Sequence, residues 1–229
     1  MKQFLLGIFV TVVIVLCGVG VLFVGGPKNL GITATPEQSK AAREKVGTAT
    51  VSLPKETASS DDFRLEGRRP ADFTMDSVEL TAHSNNRPWK QYPLRSVQIR
   101  IHDDGSIEAS AMLQIAKAIP YAMALGYSRE EIQSAMTRYQ IPPFEVPLYI
   151  RGTGSVQNDV PSVNATSVVL GRVPIPQGIV SQANREAERV IADVIKKHAS
   201  AFHAESLTFS NGKMHFVGSV AQTEYVVTE

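Results

Sequence analysis

Val97-Gln98-Ile99-Arg100-Ile101-His102-Asp103-Asp104-Gly105-Ser106-Ile107-Glu108-Ala109-Ser110-Ala111 is the stretch that decides the fold class. Val97, Ile99 and Ile101 alternate with Gln98 and Arg100, and the alternation resumes at Ile107, Ala109 and Ala111. Successive side chains of a strand point to opposite faces, so a period of two describes a half-buried strand. Asp104-Gly105 between two such runs predicts a hairpin whose tight turn puts both central residues at positive φ. The chain closes on the same pattern. Leu207 and Phe209 precede Ser210-Asn211-Gly212-Lys213, and Met214, Phe216 and Val217 follow.

Helices are written between the hairpins. In Thr35-Pro36-Glu37-Gln38, Thr35 can cap, Pro36 suits the first helical position and Gln38 completes a capping box. That helix should run from Pro36 to Val46 and stop at Gly47. A second helix is expected from Thr74 or Met75 to about Ser84. Ile115 to Leu125 is apolar and helical in character, and Ser128-Arg129-Glu130-Glu131 opens another helix. Phe144, Val146, Leu148 and Ile150 alternate as a strand, Gly152-Thr153-Gly154 reads as a turn, and Val156 to Val173 holds one or two more strands. From Gln177 to about His198, Ile179, Val180, Ala183, Ala187, Val190, Ile191, Val194 and Ile195 recur with a period near 3.6, the mark of a long amphipathic helix. Antiparallel hairpins with segregated helices imply an α+β fold rather than a parallel doubly wound sheet.

Residues 48–72 mix Pro, Ser, Thr and charges and read as a linker or loosely packed segment. The expected organisation is therefore residues 1–26 as a transmembrane anchor, 27–72 as a juxtamembrane helix and linker, and 73–229 as an extracytoplasmic α+β domain. The anchor rests on the uncharged run Phe4–Val24, closed by Gly25, Gly26 and Pro27. At about 1.5 Å per residue, a helix of about 20 apolar residues spans a hydrocarbon core of ~30 Å. A cleaved signal peptide is the competing reading, but its apolar core is usually about 7–15 residues and ends at a small-x-small site that this run lacks. Lys2 and the α-amine lie on one side of the run, and Lys28, Lys40, Arg43 and Lys45 on the other. These flanks do not favour an outside C-terminus. Long domains are translocated largely regardless of charge, however, and the very short N-terminal tail places residues 27–229 outside the cytoplasm.

Charge and motifs narrow the chemistry. The net charge of +1 over 229 residues gives no electrostatic case for nucleic acid. The one cysteine, Cys17, sits in the apolar run, so the remainder has no disulfide. Of the five histidines, His198 and His203 are five apart near the end of the long helix, yet no HExxH or Cys-containing zinc pattern occurs. No phosphate loop or nucleophile elbow is present either. The expectation is a non-enzymatic protein without metal or cofactor. Met112, Leu113, Ile115, Ile119, Tyr121, Met123, Leu125 and Met136 concentrate soft apolar side chains in two adjacent helical segments. Such segments are either the core beneath a sheet or an adaptable groove for an acyl chain. For the groove, the candidates are Met112, Ile119, Met123, Met136, Ile179 and Ile191.

Several short motifs run along the chain together: Asn29-Leu30-Gly31-Ile32-Thr33-Ala34-Thr35-Pro36-Glu37, Glu79-Leu80-Thr81-Ala82, Val97-Gln98-Ile99-Arg100-Ile101, Pro147-Leu148-Tyr149-Ile150, and Leu170-Gly171-Arg172-Val173-Pro174-Ile175-Pro176. With the single N-terminal anchor they resemble the YpmS-like group of membrane-anchored bacterial envelope proteins, over roughly residues 27–220. The resemblance implies an extracytoplasmic α+β domain, distantly similar to one module of tubular lipid-binding proteins, and carries no catalytic residues. The functional expectation is a single-pass envelope protein, held in the bilayer by residues 4–24, whose outer domain binds a lipid or other apolar ligand. The alternative is an interaction or scaffold subunit of an envelope complex, contacting a protein partner through its sheet edges and juxtamembrane helix.

Overall fold

The computed structural model describes residues 26–58, 61–124, 127–138 and 144–228. The run 4–24 lies outside them, and among the described residues no helix is long and apolar enough to cross a membrane. In chain order the elements are α1 (Pro36–Val46), β1 (Ala49–Ser52), β2 (Phe63–Glu66), β3 (Arg69–Asp76), α2 (Ser77–Asn85), β4 (Leu94–Ile101), β5 (Ile107–Leu113), α3 (Ile115–Ala124), α4 (Arg129–Arg138), β6 (Val146–Gln157), β7 (Val160–Leu170), β8 (Val173–Pro174), α5 (Gln177–Lys197), β9 (His203–Ser210), β10 (Lys213–Val220) and β11 (Thr223–Val226). The fold is α+β, with antiparallel hairpins and one long helix.

A large sheet has the order β3-β10-β9-β6-β5-β4, with β7 along β6 and β8 against the end of β7. A small sheet has the order β1-β11-β2, with β1 parallel and β2 antiparallel to β11. The long strand β6 organises the large sheet. One of its edges carries β7; the other carries β5 from Val146 to Gly152 and then β9 at Val156 and Gln157. Two hairpins, β4–β5 and β9–β10, thus stand tip to tip along one strand. Their tips bond directly, Asn211 N–H donating to the Asp103 carbonyl at 3.1 Å.

Local chemistry explains the turns. Asn211 and Gly212 both take positive φ, 50° and 70°, as a tight Asn-Gly turn requires. In the turn of the β4–β5 hairpin, residues 102–106, only Gly105 does, at 81°. The Gly105 N–H donates to the His102 carbonyl at 3.0 Å, and the His102 N–H to the Ser106 carbonyl at 2.8 Å. This is the three-residue loop with glycine in the left-handed position, not the two-residue turn expected from Asp-Gly. A side chain at Gly105 would also meet the Phe209 carbonyl at 2.5 Å. Gly152-Thr153-Gly154, expected to turn, stays extended within β6. The register shifts between Arg151 and Gly152, and a Cβ at Gly152 would collide with the backbone of Asn164 and Ala165. The glycine serves a close strand approach. The reversal comes later, at Asn158 and Asp159, both at positive φ.

The segment 48–72, read from composition as a linker, contributes β1, β2 and half of β3. Phe63 and Leu65 alternate with Arg64 and Glu66, and Ala71, Phe73 and Met75 with Asp72 and Thr74, so the period was present. The second helix starts at Ser77 rather than Thr74, because Asp76 and Glu79 form a capping box that fixes its first turn. The piece preceding α1 lies against the domain. The Leu30 N–H donates to Gln98 Oε1 at 2.8 Å, Arg100 donates to the Leu30 carbonyl, and Leu30 is buried.

Two edges of the large sheet, along β4 and β7, are covered by helices. On α2, Ser77, Thr81 and Asn85 recur every four residues and bond the backbone of Ile101, Ile99 and Val97, which recur every two. Four helical residues advance roughly 6 Å and two strand residues roughly 6.6 Å, so a helical polar stripe keeps step with a strand edge. On α5, Asn184 bonds both backbone groups of Ala165, and Glu188 accepts from the Val163 N–H at 2.9 Å. Unpaired strand edges invite pairing with other chains, and both helices prevent it.

Candidate functional site

A cavity of about 350 Å³ lies between α1, α2, the small sheet and the β3–β10–β9 end of the large sheet. Its floor follows from strand register. Phe73 pairs Phe216 and Met75 pairs Met214 across β3 and β10, and Leu207 pairs Phe216 across β9 and β10. Inward positions of three neighbouring strands thus form one apolar surface. The Phe73 and Phe216 rings stack with centroids 5.2 Å apart. Phe63 and Leu65 of β2 close one side, and Val46 and Leu80 of α1 and α2 form the roof. A cavity of this size stands near the low end of the roughly 300–1,000 Å³ range of small-molecule sites.

The other end is polar, lined by Arg43, His83, Asn86, Arg87 and Glu224. The capping boxes and the left-handed Gly47 place these side chains by fixing where α1 and α2 begin and where α1 ends. Arg87 Nη2 donates to Glu224 Oε1 at 3.1 Å, and Arg87 Nη1 lies 3.3 Å from His83 Nε2. Burial first, and then the charges of Arg87 and Arg43, push the His83 imidazole down to about 4. Arg43 and Thr50 are exposed and mark the mouth. Behind Phe63 stands an aromatic cluster. Its ring centroid is 4.8 Å from Trp89, and Trp89 is 5.1 Å from Tyr121. Beside it Asp62 is fully buried, and desolvation raises its carboxyl pKa against the opposing pull of Trp89 and Gln91.

Among the described residues, Met112, Ile119, Met123, Ile179 and Ile191 do not line this cavity. Met112 is buried in β5, opposite Arg95 on one side and Pro147 on the other. Ile119 and Met123 are half-buried, one turn apart on α3. Ile179 packs against the core cluster of Leu113, Val146, Leu170 and Val180, whereas Ile191 is exposed on α5. Met136 belongs to α4, where its side chain lies outside the described residues. Phe73 and Met75 went unnoticed as cavity residues because the expected second helix began at Thr74 or Met75, directly after the segment read as linker, and so cut the strand pattern short. Their alternation with Asp72 and Thr74 was the available signal. His198 and His203 do not converge: His198 stands edge-on to Phe63, and His203 Nδ1 is 2.6 Å from Asp159 Oδ2. Among the described residues no three His, Cys, Asp or Glu side chains group to hold a metal.

Compared with known proteins, the chain matches no protein-family model and no curated protein.

Proposed function

We propose that this protein is a non-enzymatic, single-pass envelope protein whose domain, anchored by residues 4–24 and lying outside the cytoplasm, takes a lipid or other apolar ligand into the cavity under α1 and α2. The observation that carries the reading is the cavity's build. A space of about 350 Å³ walled by the half-buried Val46, Phe63, Leu65, Phe73, Leu80 and Leu207, above a closed layer of Met75, Met214 and Phe216, is a site for an apolar group. The apolar run and the resemblance to the YpmS-like group support the membrane part of the reading. The rival reading, a scaffold subunit that pairs through its sheet edges, is left the outer edges of β3, β1 and β2, because α2 occupies the β4 edge and α5 the β7 edge.

Residues 27–229 contain every residue of the three core clusters, so this piece is the one to purify from bacterial cells without detergent. Native mass spectrometry before and after organic extraction should show one apolar molecule per chain. A folded chain carrying nothing would overturn the reading.

A further inference from the structure

The polar end of the cavity holds two guanidinium groups and one carboxylate. Arg87 is committed to Glu224, whose residue is only 6% exposed, and to His83. Because a guanidinium can only donate, the imidazole accepts through Nε2 and carries its proton on Nδ1, so His83 adds no charge. Arg43 and Arg87 against Glu224 leave the end with a net charge of +1. Arg43 stands exposed at the mouth and makes no ion pair among the described residues. Arg87 uses two of the five N–H donors of a guanidinium in its two bonds, which leaves part of a planar fork suited to an oxyanion.

We infer that the ligand of this cavity is a single-chain amphiphile with an anionic head, its alkyl chain along Phe63, Leu65 and Phe73 and its head between Arg43 and Arg87. This deepens the apolar-ligand reading and rests on it. A cationic head would face two guanidiniums. A neutral head would forgo the charge-assisted bonds that Arg43 and the remaining donors of Arg87 offer an oxyanion. A bare anion would leave the apolar wall of Phe63, Leu65 and Phe73 unused. The volume argues for one chain rather than two.

The test uses the full chain in phosphatidylcholine vesicles and the fluorescence of Trp89, the chain's one tryptophan. Phe63 lines the cavity and touches Trp89, so an occupant should register there. Octanoate, octanol, octylammonium and acetate are titrated at free concentrations fixed by dialysis. Octanoate should bind at least about tenfold more tightly than octanol, octylammonium most weakly of the eight-carbon probes, and acetate should give no response. Arg43→Gln, on the exposed face of α1, should weaken octanoate at least about threefold and leave octanol unchanged. Octanol binding as well as octanoate, acetate binding as well as octanoate, or an indifferent Arg43→Gln variant would each overturn the anionic head while leaving an apolar site standing. If neither octanoate nor octanol moves the Trp89 signal, the apolar-ligand reading itself falls.

Discussion

Two helices cover two edges of one sheet, along β4 and β7, and they do it to different degrees. On α2, three polar side chains in consecutive turns meet three alternate residues of β4, and Thr81 among them is 2% exposed. On α5, only Asn184 and Glu188 reach β7. One step further along the strand stands Pro161, which has no N–H to offer. One turn back along the helix stands Val180, buried and apolar. The short helix is therefore fastened by polar bonds, and the long one by two polar side chains and an apolar stripe. The difference teaches that a helix can be placed by its polar face, and that an apolar period locates a helix without saying which edge it will cover.

The largest expected break in this comparison comes from pH. Each helix ends near a histidine held neutral: His83 on α2, lowered to about 4 by burial and then by Arg87 and Arg43, and His198 after α5, lowered by burial and then by Lys197. The unfolded chain takes up a proton at His83 below about 6.5, whereas the fold refuses it until about 4. This part of the stability is complete above about 6.5 and lost as the pH falls through that window, up to about 3 kcal/mol. Urea unfolding of residues 27–229 at pH 7 and pH 4.5 should show the loss, and His83→Asn should flatten it. Amide exchange should open α2 and the end of β4 before α5. An identical loss in the His83→Asn variant would assign it elsewhere.

Next in size is Thr81→Val, which keeps the shape and removes the hydroxyl. The Ile99 N–H, which donates to Thr81 Oγ1 at 2.9 Å, then loses its partner at a buried position. An unsatisfied buried donor costs about 1–3 kcal/mol, so the unfolding free energy should drop by about 2 kcal/mol. Exchange at Ile99 should accelerate more than at the β7 amides. A drop below about 0.5 kcal/mol would mean that water replaces the hydroxyl and the α2 seal is not tight.

The legible parts of the fold were those whose signals are local. Thr35, Gln38 and Gly47 bound α1 where the residues promised, and Asn211-Gly212 turned the last hairpin as its conformational needs dictate. The run from Ile179 to Ile195 produced α5. The small sheet was hidden for physical reasons. β1 is exposed at all four positions and has no inward face to pattern, and β2 has only two inward residues between a polar stretch and Gly67. The cavity was less legible still. Arg43, Phe73, Arg87 and Phe216 are distant in the chain and meet only through strand register and helix capping. The methionine-rich stretch, dense in sequence, instead distributes its residues between the core, α3 and α4. Density along a chain does not make a concave surface; facing positions on separate elements do.

Smaller effects sharpen the contrast on the α5 side. Asn184→Ala leaves both the N–H and the carbonyl of Ala165 without their helix partner, at 3.0 Å and 3.2 Å now. Asn184 is only half-buried, so water can reach part of the gap, and about 1 kcal/mol is expected, below Thr81→Val. The least effect belongs to Glu188→Gln. The amide oxygen can still accept from the Val163 N–H, and only the charge of the acceptor is lost, so the change should stay within about 0.5 kcal/mol in urea unfolding. Glu188→Ala, which removes the acceptor, should speed exchange at Val163 where Glu188→Gln does not. If the two variants exchange alike, the carboxylate is not what holds that edge. The fastening of α5 would then reduce to Asn184 and the apolar stripe around Val180, which would widen the difference from α2.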